Sequence, residues 1–371
     1  MGWKPDFGLL GWKSSQPSAE GCDNPDTLLD AVLPDYYMFE LSKIAISALG
    51  RIGAWTSHAR LCYFALYSPT MSRQNLPLLQ SLWRSHPNVL RSRCRASFTA
   101  VPAFERYIGI DYSGAQTPSD SLPGNRIYLA TPDSAAREIL PPPSPRKYWT
   151  RREIAEWLLH ELTTGPAAIV GIDHGFSFPL QYFKRHKLRL DWPEFLVDFN
   201  MHWPTHENIY VCFVRDGIRG EGAARTGDRK WRRLTELRAR TPKSVFHFDV
   251  PGSVATSTHA GLPWLFYLWQ NRAKAERAGG RRIHFWPFDG WTPSANSSVI
   301  AEAYPALWNK TFPVEGRTRD QQDAFAVAEW LRLADSDGRL QRALNPQLDP
   351  LDRATAEIEG WILGVDMARL M

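Results

Sequence analysis

Two short stretches of the chain end a strand-like run on an aspartate and turn at once. Residues 107–115 read YIGIDYSGA and residues 169–176 read IVGIDHGF, so Asp111 and Asp173 each follow a Gly-Ile pair. In the first stretch Ile108 and Ile110 alternate with Tyr107 and Gly109 at the period of two that marks a strand, and Ser113-Gly114 supplies the turn. One acid at a strand end is ordinary solvated chemistry. Two on near-identical motifs form a constellation, and the chain adds to it. Glu302 closes the apolar run 298–303 just before Tyr304-Pro305, and Asp320 and Asp323 stand early in RTRDQQDAFAVAEWLRLAD, residues 317–335. Hard divalent cations such as Mg2+ or Mn2+ bind few carboxylates and keep waters, and a pair of them can clamp the attacking and departing oxygens of a phosphodiester. Asp111, Asp173, Glu302, Asp320 and Asp323 are therefore the candidate catalytic residues, with Asp111, Asp173, Glu302 and Asp323 as metal ligands. The His/Cys spacing of a zinc site is missing.

That chemistry requires the acids to meet at one sheet edge, so the elements between them matter. A hairpin partner for the first strand is expected over residues 126–130. Thr150 with Glu153 three residues on makes a capping box, and Ile154, Trp157, Leu158 and Glu161 follow at helical spacing into the second acid-tipped strand, 167–173. Further strands are expected at 244–250, 282–288 and 298–303. A small-residue turn, 252–261, should lead into an apolar helix over 262–270. Thr318 and Gln321 form another capping box, and Asp320, Asp323, Ala324, Val327, Ala328 and Leu331 share one stripe of the helix that follows. The expected class is α/β, a mixed β-sheet flanked by helices.

Composition bounds the reading from outside. The 371 residues are 43% hydrophobic and 22% charged, with a net charge of +5, values normal for a globular protein able to bury a large core. Four cysteines without a C-x-x-C pair fit a reducing, cytoplasmic setting. The N-terminus lacks a signal-peptide pattern, and no uncharged apolar run of 18 residues suggests a membrane span. Most of the 16 tryptophans lie in apolar contexts and are read as packing residues. Residues 1–104 are poorly patterned and read as an extension, or as an artefact of a start codon placed too far upstream. The domain proper runs 105–371. An insert at about 181–243 carries 14 Lys or Arg against 8 Asp or Glu, an excess larger than the net charge of the whole chain. Interleaved aromatics and Arg215, Arg219, Arg229, Lys230, Arg232 and Arg233 make it the candidate surface for a phosphate backbone, with DNA or RNA as partner.

The motifs GIDYSGA, GIDHGFSFP, EAYPALW and RDQQDAFAVAEWL resemble, in order, those of the domain of unknown function 429 family, a predicted-nuclease branch of the ribonuclease-H-like superfold related to Holliday-junction resolvases. The resemblance spans residues 104–371. It implies a ribonuclease-H-like sheet, Asp111 on the first strand bound to both metals, Asp173 as the second acid, Glu302 on a later strand, and Asp320 or Asp323 at the start of the closing helix. The implied function is a metal-dependent nuclease. Two other readings stand beside it: a kinase or ATPase of the actin-like superfold, and a binding module whose acids are relict.

Overall fold

In a computed structural model of the protein, residues 103–142, 147–249 and 254–365 are described. All of the extension except its last two residues lies outside them. Six strands form one mixed sheet: β1 (Arg106–Asp111), β2 (Arg126–Thr131), β3 (Ser134–Glu138), β4 (Ala168–Ile172), β5 (Ile283–Phe285) and β6 (Ser298–Glu302). Their spatial order is β3-β2-β1-β4-β6-β5. The β1-β2-β3 meander is antiparallel, whereas β1, β4, β6 and β5 run parallel. The C-terminal ends of β1, β4 and β6 therefore lie side by side, and each carries or directly precedes one of the acids.

The sheet is buried on both faces. Ile108, Ile110, Val170, Ile172 and Ile300 face one way into a large aromatic core. That core is covered by α1 (Arg151–Thr164), α2 (Leu180–His186), α3 (Trp192–His202) and the 24-residue α6 (Val254–Arg277). Two short helices, α4 (Val211–Arg215) and α5 (Leu234–Ala239), complete the insert. Tyr107, Ile169, Val299 and Ala301 face the other way, beneath α7 (Arg319–Ser336), which lies across β1 and β2. Two further helices, α8 (Arg339–Leu344) and α9 (Pro350–Glu359), end the described fold. Both expected capping boxes form: Glu153 N–H donates to Thr150 Oγ1 at 3.1 Å, and Gln321 N–H to Thr318 Oγ1 at 3.3 Å. Trp203, Trp286 and Trp361 are fully buried, as packing tryptophans should be. No helix among the described residues is long and apolar enough to cross a membrane.

Three expectations need correction. Residues 244–249 make turns rather than a strand: Val245 and Phe246 anchor the segment in the aromatic core, and Phe246 meets Phe178 with ring centroids 4.6 Å apart. Apolar alternation there reflects anchoring without a ladder partner. The small residues expected to turn over 252–261 belong from Val254 onward to α6, where smallness serves close approach. A Cβ on Gly261 would come within 2.5 Å of the His174 ring. The strand expected over 282–288 stops at Phe285.

α7 lies close against the sheet at Gly109. A Cβ on Gly109 would lie 2.1 Å from the Ala324 carbonyl oxygen and 2.6 Å from the Ala328 nitrogen. Backbone cannot yield as a flexible side chain does. Gly109→Ala is expected to destabilise the protein by about 3 kcal/mol or more, measured by urea unfolding; a change below about 1 kcal/mol would mean that α7 does not ride on this strand.

Candidate functional site

Strand register decides which acids meet. Ile110 pairs with Ile172, and the Asp173 N–H extends the ladder to Ile110 O at 3.0 Å, so Asp111 and Asp173 follow as neighbours on the face that α7 covers. Gly109 and Gly171, two residues before each acid, both touch α7: a Cβ on Gly171 would stand 2.5 Å from Val327 Cγ1. Residues two apart on a strand share a face. Thr318 caps α7 at the same end of the sheet, which brings Asp320 and Asp323 on its first turns over the strand ends. All four aspartates line one cavity of about 730 Å³.

Their electrostatics show the crowding. Burial, and then the charges of Asp173, Asp320 and Asp323, hold the Asp111 carboxyl well above the usual carboxylate range. Asp173 is pushed up to about 8, first by burial and then by Asp323 and Glu302, against a smaller pull from Arg319. Asp323 is raised by burial, although Asn309 Nδ2 donates to its Oδ1 at 2.8 Å and Arg319 Nε stands 3.8 Å from Oδ2. Two adjoining carboxylates in such a place share a proton or attract a cation. The other cations on the cavity wall are Lys243 and Arg319, both exposed, and the buried Arg233.

Two pinned loops hold the strand-end aspartates. Arg151, fully buried at the head of α1, donates to the carbonyls of Ser113, Ala115 and Gln116 at 3.1, 2.6 and 3.0 Å. Ser113 N–H is held by Asn125 Oδ1 at 2.9 Å. After β4, Gly175 N–H donates to Thr258 Oγ1 at 2.8 Å and Phe176 N–H to Glu302 Oε2 at 3.1 Å. His174, between Asp173 and Gly175, is kept neutral, as burial pushes it down to about 4.

Glu302 lines the same cavity but is held differently from the aspartates. It pairs in register with Ile172, so its side chain leaves the sheet on the face opposite Asp111 and Asp173. There its carboxylate meets Arg233 in a bidentate pair, at 2.6 and 2.7 Å, with the two side chains 4% and 1% exposed. Arg233, expected on an exposed basic surface, is instead buried on the cavity wall with its guanidinium spent on Glu302 and Glu236. Arg232 is also spent internally, on the carbonyls of Glu236, Arg240 and Pro242. Arg215 pairs with Asp216 and Arg229 with Asp249, while Arg219 and Lys230 are exposed. None of these five lines the cavity, and the basic stretch reaches it only through Arg233 and its C-terminal end at Lys243.

No family model, curated protein or solved structure matches this chain. The assignment of the site therefore rests on its own geometry. Among the described residues no group of three or more His, Cys, Asp or Glu side chains is placed to hold a metal ion. The donor set still suits a hard cation: oxygen donors only, adjacent, and mutually repelling. Magnesium usually uses one or two carboxylates and completes its shell with water and phosphate oxygens.

Asn309, Lys243, Arg319 and Arg151 escape a reading of motifs. Asn309 and Arg319 flank the acid motifs closely enough to be noticed, but nothing local marks Lys243 or Arg151. A pH test follows from the crowding. Between pH 3.8 and 8 the folded state binds a proton at Asp173 that the unfolded chain releases, so this group's contribution to stability falls as pH rises. In chelator-treated protein, Asp173→Asn should raise the unfolding midpoint relative to the unaltered chain at pH 8, and do so much less at pH 4. Equal midpoints at pH 8 would contradict the crowding.

Proposed function

We propose that this protein is a metal-dependent hydrolase of phosphodiester bonds, with nucleic acid as its substrate and a ribonuclease-H-like sheet as its scaffold. The observation that carries the reading is the meeting of Asp111 and Asp173, from neighbouring parallel strands, with Asp320 and Asp323 from the closing helix in one cavity. For Asp111, Asp173 and an acid at the start of the closing helix this agrees with what the resemblance to the resolvase-like family implies; Glu302, which it also implies, is paired with Arg233 instead. The meeting of the aspartates is also what hydrolysis of a charged, unreactive diester needs. Asp111 and Asp173 would hold Mg2+ or Mn2+, which when bound supplies Lewis-acid polarisation of the phosphate and a lowered pKa for an attacking water.

The remaining steps belong to side chains of the chain itself. Lys243 and Arg319, exposed on the cavity wall, bind the non-bridging phosphate oxygens and draw the diester toward the acids. Asp323, with its proton affinity raised by burial and its Oδ1 fixed by Asn309, takes the proton of the attacking water. The water oxygen bonds to phosphorus as the bond to the leaving sugar oxygen breaks, that oxygen takes a proton from solvent water, and Asp323 returns its proton to solvent. The pinned loops at 113–116 and 175–176 keep the two strand-end carboxylates from relaxing apart.

A second reading, binding without hydrolysis, is favoured by the engagement of Asp323 with Asn309 and Arg319. One assay separates the two. The full chain is incubated with end-labelled single- and double-stranded DNA and RNA oligonucleotides in Mg2+ or Mn2+, with and without chelator. Metal-dependent cleavage is expected, reduced about 100-fold or more in Asp111→Asn and in Asp173→Asn, with KM raised in Lys243→Ala and Arg319→Ala. Cleavage that persists in Asp111→Asn would remove the site assignment, and binding with no cleavage of any substrate would favour the second reading.

A further inference from the structure

Glu302 and Arg233 form a unit that the proposed chemistry does not use. Arg233 Nη2 donates to Glu302 Oε1 at 2.6 Å and Nη1 to Oε2 at 2.7 Å, and the Phe176 N–H brings a third bond to Oε2 at 3.1 Å. A carboxylate offers about four acceptor sites, so most of this one is taken, and both oxygens already face a cation. Arg233 is not free to swing away. Its Nε donates to Glu236 Oε1 at 2.9 Å, its own N–H to Glu236 Oε2 at 3.0 Å, and Nη1 also reaches the Glu359 carbonyl at 3.3 Å. A divalent ion brought onto Glu302 would meet a buried guanidinium with little solvent between them to screen the repulsion.

Phe176 follows Asp173 by three residues, so Glu302 grips the loop on which Asp173 sits. The neighbouring Gly175 N–H is held by Thr258 from α6. Metal ligands depend on such outer partners for orientation. Resting on the metal-dependent reading above, we infer that Glu302 is a positioning residue, clamped by Arg233, that fixes the Asp173 loop, and that the site is built for one divalent cation between Asp111 and Asp173. Arg233 supplies toward Glu302 the positive charge that a second ion would otherwise bring.

The test counts ions. The full chain, freed of metal by chelation, is titrated with Mn2+, with binding followed by calorimetry and by the electron paramagnetic resonance signal of free Mn2+. One ion per chain is expected. Glu302→Gln, which keeps an acceptor for the Phe176 N–H, should still bind one ion with affinity lowered no more than about tenfold, and Glu302→Ala should bind one ion about 10- to 100-fold more weakly. Asp111→Asn should lose the ion. Two ions on the unaltered chain, falling to one in Glu302→Gln, would overturn the inference and leave the metal-dependent reading standing. Unchanged affinity in a folded Glu302→Ala would overturn the positioning role. No bound Mn2+ at all would overturn both this inference and the metal-dependent reading. The count on the unaltered chain decides even if the Glu302 variants do not fold.

Discussion

The arrangement depends on how closely α7 lies against β1. At Gly109 the helix backbone occupies the space a side chain would take, and at Gly171 Val327 does nearly the same on the next strand. Small residues on the helix, Ala324 and Ala328, complete the contact. Because the helix is capped by Thr318 at the sheet edge and pressed onto the strands from there, its first turns must hang over Asp111 and Asp173. A packing constraint thereby becomes an electrostatic one. The same contact that buries the apolar stripe of α7 forces four carboxylates into one cavity.

That enforced crowding explains the polar architecture around it. Carboxylates that repel one another will separate unless the backbone beneath them is held, and it is held from outside the site. Arg151 takes three carbonyls of the loop after β1, and Thr258 and Glu302 take two amides of the loop after β4. Glu302 is in turn held by Arg233, and the Glu359 carboxylate accepts the N–H groups of Leu180 and Leu234 at the heads of α2 and α5. Most of this scaffolding is buried, where an unmet polar group is costly.

Much of the fold can be read from the residue pattern. The Gly-Ile-Asp repeats, the two capping boxes and the stripe on α7 mark β1, β4, α1 and α7 correctly, because each signal is local: a period, a cap or a turn. Long-range geometry is less visible. Glu302 ends a strand as Asp111 does, yet register turns it to the other face by one residue, and no run of letters reports register. Arg233 lies in a basic stretch and looks like its neighbours, since a buried ion pair is defined by a partner 69 residues away. The segment 244–249 alternates like a strand because anchoring in an aromatic core also favours apolar residues at intervals.

The Arg233 network joins parts of the chain that are made far apart in time. Its partners or their neighbours lie at Phe176, Leu180, Leu234, Glu302 and Glu359, with sequence separations of up to 179 residues. Contacts of that span close late and slowly in folding. On the ribosome β1 and β4 emerge before Arg233 and Glu302, so the strands that carry Asp111 and Asp173 are made before the pair that holds the Asp173 loop.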